Sequence, residues 1–450
     1  MATRRTLLSL ASLAMLIYPS AEHTFKPNCS LPNESSYLVL SADIRGTFDI
    51  LWSSLFTLLI CTWTVQHPNI PPQGSQNGFD VEYVLSSAWR KAKWMLLTLI
   101  LPEFLVGKAL QDNGRAKRSI INLSELANVS GIAWSTTHGF YADMGGFVLK
   151  ARQQRNGENV PAPIFLNCES LQFAFIGDGN RSLIEKIPHI SKKDIQDKSK
   201  GDFFVKATAV VQVCWMVVQT IVRGAKGLAV SQLEIAVLAY SACTVITYYL
   251  YLDKPQNVQV PTYVLLKKEL GGEKLTPEHQ EAIRDCRPRS WFTVSLRLFR
   301  YQGAGKERRN ILDPIPNDAR YDDVKSALFT AKSLFTRMDD GFVIAGLVFG
   351  SLHCAAWNFD FPTPVERLLW RICSVITAGT LPLYYGVLLY DIHIKSLAIQ
   401  RLPLVTIEVV LALGYVMARL FLIVEVFRSL FFLPPSAFIT TWSSQAPHVT

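Results

Sequence analysis

No Walker phosphate loop, dinucleotide-binding glycine fingerprint, serine-nucleophile elbow or HExxH pair occurs in the 450 residues. These absences argue against ATP-driven transport and against protease or hydrolase chemistry. There is no internal repeat and no low-complexity run. The eight cysteines follow neither a disulfide framework nor zinc-ligand spacing. Five of them (Cys61, Cys214, Cys243, Cys354, Cys373) fall in apolar segments, Cys168 and Cys286 in polar loops, and Cys29 near the N-terminus. No cofactor is predicted from these patterns.

Long apolar segments are what the chain does contain. They run over Thr47–Val65, Val205–Val222, Ser231–Tyr251, Gly341–Trp357, Leu368–Tyr390 and Leu402–Phe427. Each has about the 17 to 25 residues that a hydrocarbon core of roughly 30 Å requires. Six helices apolar on every side cannot all be hidden in one soluble chain of this length, so the expected fold is all-α and polytopic, with about six transmembrane helices. Trp94–Val106 is apolar but short and is interrupted by Pro102 and Glu103, which predicts a re-entrant or interfacial segment. At the N-terminus, Arg4 and Arg5 precede Leu7–Ile17 and then Pro19, Ser20 and Ala21, the order of a signal peptide ending near residue 21.

Charge sets the orientation. The stretches 66–204 and 253–338 carry 16 Lys and Arg each, and the connections on the other side keep only a few, such as Lys26, Arg45, Arg223, Lys226 and Arg428. This positive-inside pattern makes both long stretches cytoplasmic and leaves residues 22–46 and 428–450 in the lumen. Localisation in the endoplasmic reticulum or later in the secretory pathway follows. Asn28 and Asn33 become glycosylation acceptors, while the sequons at Asn122, Asn128 and Asn180 stay silent. The net charge of +9 is therefore a topology signal, because loops beside an anionic leaflet are expected to be basic. The bilayer is the predicted partner, and nucleic acid is not.

The two long loops are too rich in apolar residues for disordered tails. Ile132–Leu149 is expected to be a helix ended by Gly145 and Gly146. Thr276 reads as an N-cap with Pro277 at the first helical position, and a further helix is expected from Asp318 to Arg337.

Polar residues inside spans are costly and normally face other helices or water. Gln212, Trp215, Gln219 and Arg223 share one helical face. Glu234, Ser241 and Tyr248 fall at heptad spacing. Gly346, Gly350, His353 and Trp357 form a stripe whose two glycines permit close helix approach, and the last span aligns Glu408, Ala412, Tyr415 and Arg419. These stripes suggest a shared polar interior, read either as interhelical hydrogen-bond glue or as a substrate cavity. His353 is expected to be packed and hydrogen-bonded, Arg419 to pair with Glu408 or Glu234, and Glu425 to pair with Arg428. The carboxylates Asp318, Asp322 and Asp323, with Asp339 and Asp340 further on, could hold a magnesium-bound diphosphate. This loosely resembles the Asp-rich motifs of membrane prenyltransferases, but the spacing departs from theirs and no second motif matches, and helix capping accounts for Asp318.

Arg45–Pro71 (RGTFDILWSSLFTLLICTWTVQHPNIP), Thr137–Phe147 (THGFYADMGGF), Asp197–Tyr240, Asp253–Pro255 (DKP) and His353–Arg371 (HCAAWNFDFPTPVERLLWR) together resemble a large group of fungal multi-pass integral membrane proteins, mostly uncharacterised. The likeness covers nearly the whole chain after the signal. It implies a membrane protein near secondary metabolism and carries over no site residues. The leading functional expectation is a small-molecule binding or permeation protein built on Gln219, Glu234, His353 and Arg419. Its rivals are a membrane enzyme acting on a lipophilic or isoprenoid metabolite, with Mg as cofactor in that case alone, and a non-catalytic scaffold.

Overall fold

The computed structural model describes residues 44–73, 81–155, 158–176, 182–201, 203–267, 275–290, 311–321, 338–394 and 402–441. The elements in chain order are α1 (Thr47–Thr64), α2 (Val81–Ile100), α3 (Pro102–Val129), α4 (Thr136–Asp143), β1 (Phe147–Arg155), β2 (Glu158–Leu166), α5 (Cys168–Ile176), α6 (Lys192–Asp197), α7 (Phe203–Ala225), α8 (Gln232–Leu250), β3 (Thr262–Val264), α9 (Pro277–Asp285), β4 (Arg289–Ser290), β5 (Ala319–Arg320), α10 (Met338–Cys354), α11 (Pro364–Ile394) and α12 (Leu402–Arg428). The protein is mostly helical. Helices cover all six apolar segments, and among the described residues four are long and apolar enough to cross a membrane, Thr47–Thr64, Phe204–Ala225, Gln232–Leu250 and Thr406–Phe432, or five if the bent pair Ala88–Ile100 and Pro102–Val129 counts as one span. The short segment at Trp94–Val106 lies at an elbow. The chain bends by 111° between Ala88–Ile100 and Pro102–Val129, because Pro102 at the first turn of α3 has no N–H to continue the preceding helix.

The chain divides into two compact units. One comprises Met1–Cys61, Ala207–Ala242 and Gly346–Thr450, and the other Thr62–Lys206 and Cys243–Ala345. The first, the helical unit, packs Ile50, Met216, Leu233, Val237, Trp370 and Leu422 into its core. The glycine stripe makes a close helix contact, as its spacing predicts. A Cβ added to Gly350 would lie 2.6 Å from the Cβ of Ala378, and one on Gly346 2.7 Å from Leu381, so bulk at either position would separate α10 from α11. After α12 the chain turns back. Arg45 Nε donates to the Ala437 carbonyl at 2.7 Å, Ile44 bridges Ile439, and Arg223 donates to the carbonyls of Ala229, Ser436, Ala437 and Ile439.

The second, mixed unit brings both long polar stretches into one body. Its core includes Phe147, Leu149, Ile164, Leu166, Leu171, Ile195, Val264 and Ile283. Here the expected helix over Ile132–Leu149 is corrected. Only Thr136–Asp143 is helical; Gly145, at φ +82°, reverses the chain, and Phe147 starts a strand. β1 pairs antiparallel with β2 from Phe147↔Leu166 to Arg155↔Glu158 and parallel with β3 from Phe147↔Thr262. The THGFYADMGGF sequence is thus a packing motif. A Cβ on Gly139 would sit 2.8 Å from the Ala116 carbonyl, and one on Gly146 2.5 Å from that of Tyr141. Thr276 caps α9 as read, its hydroxyl accepting from the His279 N–H with Pro277 at the first position. The helix expected from Asp318 does not begin there. Ala319–Arg320 pairs with Arg289–Ser290, the Asp318 carboxylate accepts from the Ser290 hydroxyl, and residues 322–337, with Asp322 and Asp323, lie outside the described residues.

Candidate functional site

The polar side chains of the helical unit are largely consumed within it. Gln212 donates to the Thr57 hydroxyl at 3.0 Å. Glu234 accepts from Arg45 at 2.7 Å and from the Ser231 hydroxyl and N–H, so its ionic partner is Arg45 rather than Arg419. Arg45 lies just before α1, close enough to Glu234 in the first turn of α8 to form this pair. His353 and Arg419 do come together, through one ring. Phe349 stacks on His353 at 4.4 Å and takes the Arg419 guanidinium on its face at 3.8 Å, while Arg419 also reaches the Tyr240 hydroxyl at 3.5 Å. His353 Nδ1 lies 2.8 Å from the Phe349 carbonyl, and Trp370 Nε1 donates to the His353 carbonyl. His353 is therefore packed and hydrogen-bonded, as expected. Gln219 and Glu408 are half-buried. Arg428 pairs with Glu366 at 2.5 Å rather than with Glu425, because the first turn of α11 presents a carboxylate to it. Asn28 and Asn33 lie outside the described residues.

A different constellation emerges in the mixed unit. Beyond its proline, α3 places Lys108 and Asp112 four residues apart, on one helical face. Asp112 binds Lys108 and, at 2.8 Å, Lys254. The Tyr251 hydroxyl adds a donor at 3.1 Å, and Lys254 also lies over the Tyr251 ring at 4.3 Å. Burial pushes the Asp112 carboxyl up, but the two ammonium groups outweigh it and hold it well below the usual carboxylate range. Burial lowers Lys254 despite Asp112. One turn on, Arg115 binds Asp143 and Glu169, each at 2.9 Å, and stacks on Tyr321 at 3.3 Å. Asp253, beside Lys254, accepts from Thr136 at 2.6 Å and Lys192 at 3.0 Å. The DKP sequence therefore serves two ion networks.

Against this cluster lies a cavity of about 30 Å³, lined by Gln66, His67, Pro68, Trp94, Thr98, Phe104, Leu105, Lys108, Tyr251, Lys254 and Asn317. It has room for one or two waters. The elbow supplies Trp94, Thr98, Phe104 and Lys108, with Trp94 stacked on Phe104 at 5.9 Å. The end of α1 supplies the floor. Its terminal carbonyls are satisfied by Gln256, which donates to Thr64 and Gln66, and by Gln66, which donates to Thr62. His67 lies 4.9 Å from the Tyr251 ring. Its Nδ1 sits 2.8 Å from the Val65 carbonyl; a carbonyl only accepts, so Nδ1 carries the proton and Nε2 is left as an acceptor. Burial, with Lys206, Lys254 and Lys91 behind it, pushes the imidazole down to about 3. A second cavity of about 30 Å³ shares Pro68 and is lined by Asn69, Pro71, Arg90, Lys91, Asn257, Val258 and Gln259.

Sequence reading passed over His67, Lys108, Asp112 and Lys254. The available signal was Lys108 with Asp112 at i, i+4 directly after an apolar proline-broken segment, and Lys254 inside the DKP triplet.

A family of unknown function, DUF8562, matches residues 23–276, more than half of the chain, and this stretch contains every charged residue of both cavities. No curated protein and no solved structure matches.

Proposed function

The chain belongs to DUF8562, a family of unknown function, and we propose that it is a multi-pass endomembrane protein that binds a small molecule in the cavity beneath the elbow, in the setting of fungal secondary metabolism. Six crossings account for the six apolar helices. The outward face of α12 supports the bilayer as solvent: Leu413, Val416, Met417, Leu420 and Val424, on one side of the helix, are all exposed, an arrangement that water would penalise. An even number of crossings also agrees with the contact between Ile44 and Ile439, which brings the two ends of the helical unit together. The stretches 66–204 and 253–338, with 16 Lys and Arg each, then face the cytoplasm, and both ends of the chain face the lumen of the endoplasmic reticulum or a later compartment.

The observation that carries the binding reading is the cavity itself. Buried ammonium groups, a neutral imidazole and amide side chains converge on it from four segments distant in sequence, with aromatic rings on one wall, which is the composition of a site rather than of a packed core. The polar groups of the spans act mainly as glue between helices. Untargeted metabolite profiling of a deletion strain tests the reading. Altered partition of an unchanged compound is the expected result; an accumulated precursor would instead favour a membrane enzyme, and an unaltered profile a scaffold.

A further inference from the structure

Resting on the small-molecule reading above, we infer that the oxyanion of an amphiphile, a phosphate or carboxylate head, binds around Pro68, the residue both cavities share, with its oxygens taking the water-sized spaces beside the lysines at the cytoplasmic surface of the membrane. Charge selects this ligand class. Lys108 and Lys254 line the first cavity and Arg90 and Lys91 the second, and among the described residues no Asp or Glu lines either one. Asp112 is the carboxylate behind the first pair. One carboxylate against two ammonium groups leaves a positive excess, and each ammonium, having three N–H donors, spends one on Asp112. Glu103, buried in the first turn of α3, lines neither cavity.

Burying two lysines on a single carboxylate is an unfavourable arrangement for stability alone. An oxyanion there would complete it, because it accepts from both lysines. Geometry places the rest of the ligand. Trp94, Phe104 and Leu105 form the apolar wall beside the lysines, and they belong to the elbow, whose α2 limb exposes Leu85, Trp89, Leu96 and Ile100. That limb also carries Arg90, Lys91 and Lys93, with Lys91 over the Trp63 ring at 4.4 Å. A tail leaving the site along this wall meets apolar surface, and a head held at Pro68 meets cations.

The full chain, reconstituted in phosphatidylcholine nanodiscs, provides the test. Its thermal stability is read with and without phosphatidate or oleate in the disc, and separately with inorganic phosphate in solution. Phosphatidate or oleate should raise the melting temperature of the wild type. Arg90→Gln with Lys91→Gln, which leaves the Asp112 network in place, should weaken the effect by about tenfold or more, the usual consequence of losing charged hydrogen bonds. Lys108→Gln extends the test to the first cavity, with far-ultraviolet circular dichroism confirming that it folds. If inorganic phosphate alone stabilises, the oxyanion chemistry holds and its source is soluble. Equal stabilisation of wild type and Arg90→Gln/Lys91→Gln would place the anion elsewhere and overturn the inference. Response only to a neutral amphiphile such as diacylglycerol would overturn the oxyanion and keep the small-molecule reading. No response to any probe, with an unaltered deletion profile, would remove both.

Discussion

The two units satisfy their buried polar groups with different sets of partners. In the helical unit Arg223 is answered by the carbonyls of Ala229, Ser436, Ala437 and Ile439 and Arg419 by the face of Phe349, and the one buried acid described there with a cation, Glu234, is matched singly by Arg45. In the mixed unit buried charges answer one another, and cations outnumber acids around the cavities. The first arrangement fixes helices against each other and leaves little for a ligand. The second leaves donors and an acceptor facing a void. Burial of polar residues alone therefore does not mark a site; the way they are satisfied does.

The largest break in that contrast should come from Asp112→Ala, which strands Lys108 and Lys254 in the interior. A loss of about 3–5 kcal/mol is expected, read as a lowered unfolding midpoint in detergent. Glu234→Gln in the helical unit should cost less, since the amide oxygen still accepts from the half-buried Arg45, although the amide nitrogen cannot accept from the Ser231 N–H. Equal losses would erase the distinction between the units.

Next in size is Gly350→Leu, which forces α10 and α11 apart where a Cβ already meets Ala378. Overpacking of this kind costs about 1–3 kcal/mol. Stability unchanged with function abolished would turn the α10 stripe from packing surface into ligand surface.

The third effect depends on pH. His67 is held at about 3, below the roughly 6.5 of an unfolded histidine, so the native state binds fewer protons between these values. Its contribution is complete above about pH 6.5 and is lost as the pH falls toward 3, at about 1.4 kcal/mol per unit. His67→Gln should flatten the acid side of the stability curve. Some slope should remain from His138, which burial also pushes down. A variant with the wild-type slope would show that His67 titrates normally.

The smallest effect is expected of Asp322→Asn with Asp323→Asn, which removes charge and keeps shape. Metabolite output should stay near wild type in a protein of normal abundance. Abolished output would favour magnesium-diphosphate chemistry, and magnesium-dependent turnover in membranes would then establish it.

The helical segments were legible because twenty apolar residues announce themselves without knowledge of their neighbours, and the Thr276 cap because its bond spans three residues. The β1–β2 hairpin was hidden by Phe140, Tyr141 and Phe147, whose bulk suits a helix or a strand equally, so that only Gly145 at positive φ marks the change. Partners of charged residues were the least legible part. Arg45 and Glu234 lie 189 residues apart, and Lys254 and Asp112 lie 142 apart, distances at which sequence spacing gives no guidance. The face of Phe349 under Arg419 is of the same kind, since the two residues lie on different helices far apart in the chain.

Glycosylation mapping tests the central topological claim most directly, because Asn122 and Asn128 are both exposed on α3 and their modification reports the compartment of the mixed unit. Glycosidase should shift the wild-type band and leave Asn28→Gln/Asn33→Gln unshifted. A residual shift in that double variant, removed by Asn122→Gln or Asn128→Gln, would put the mixed unit and its cavities in the lumen and contradict the account.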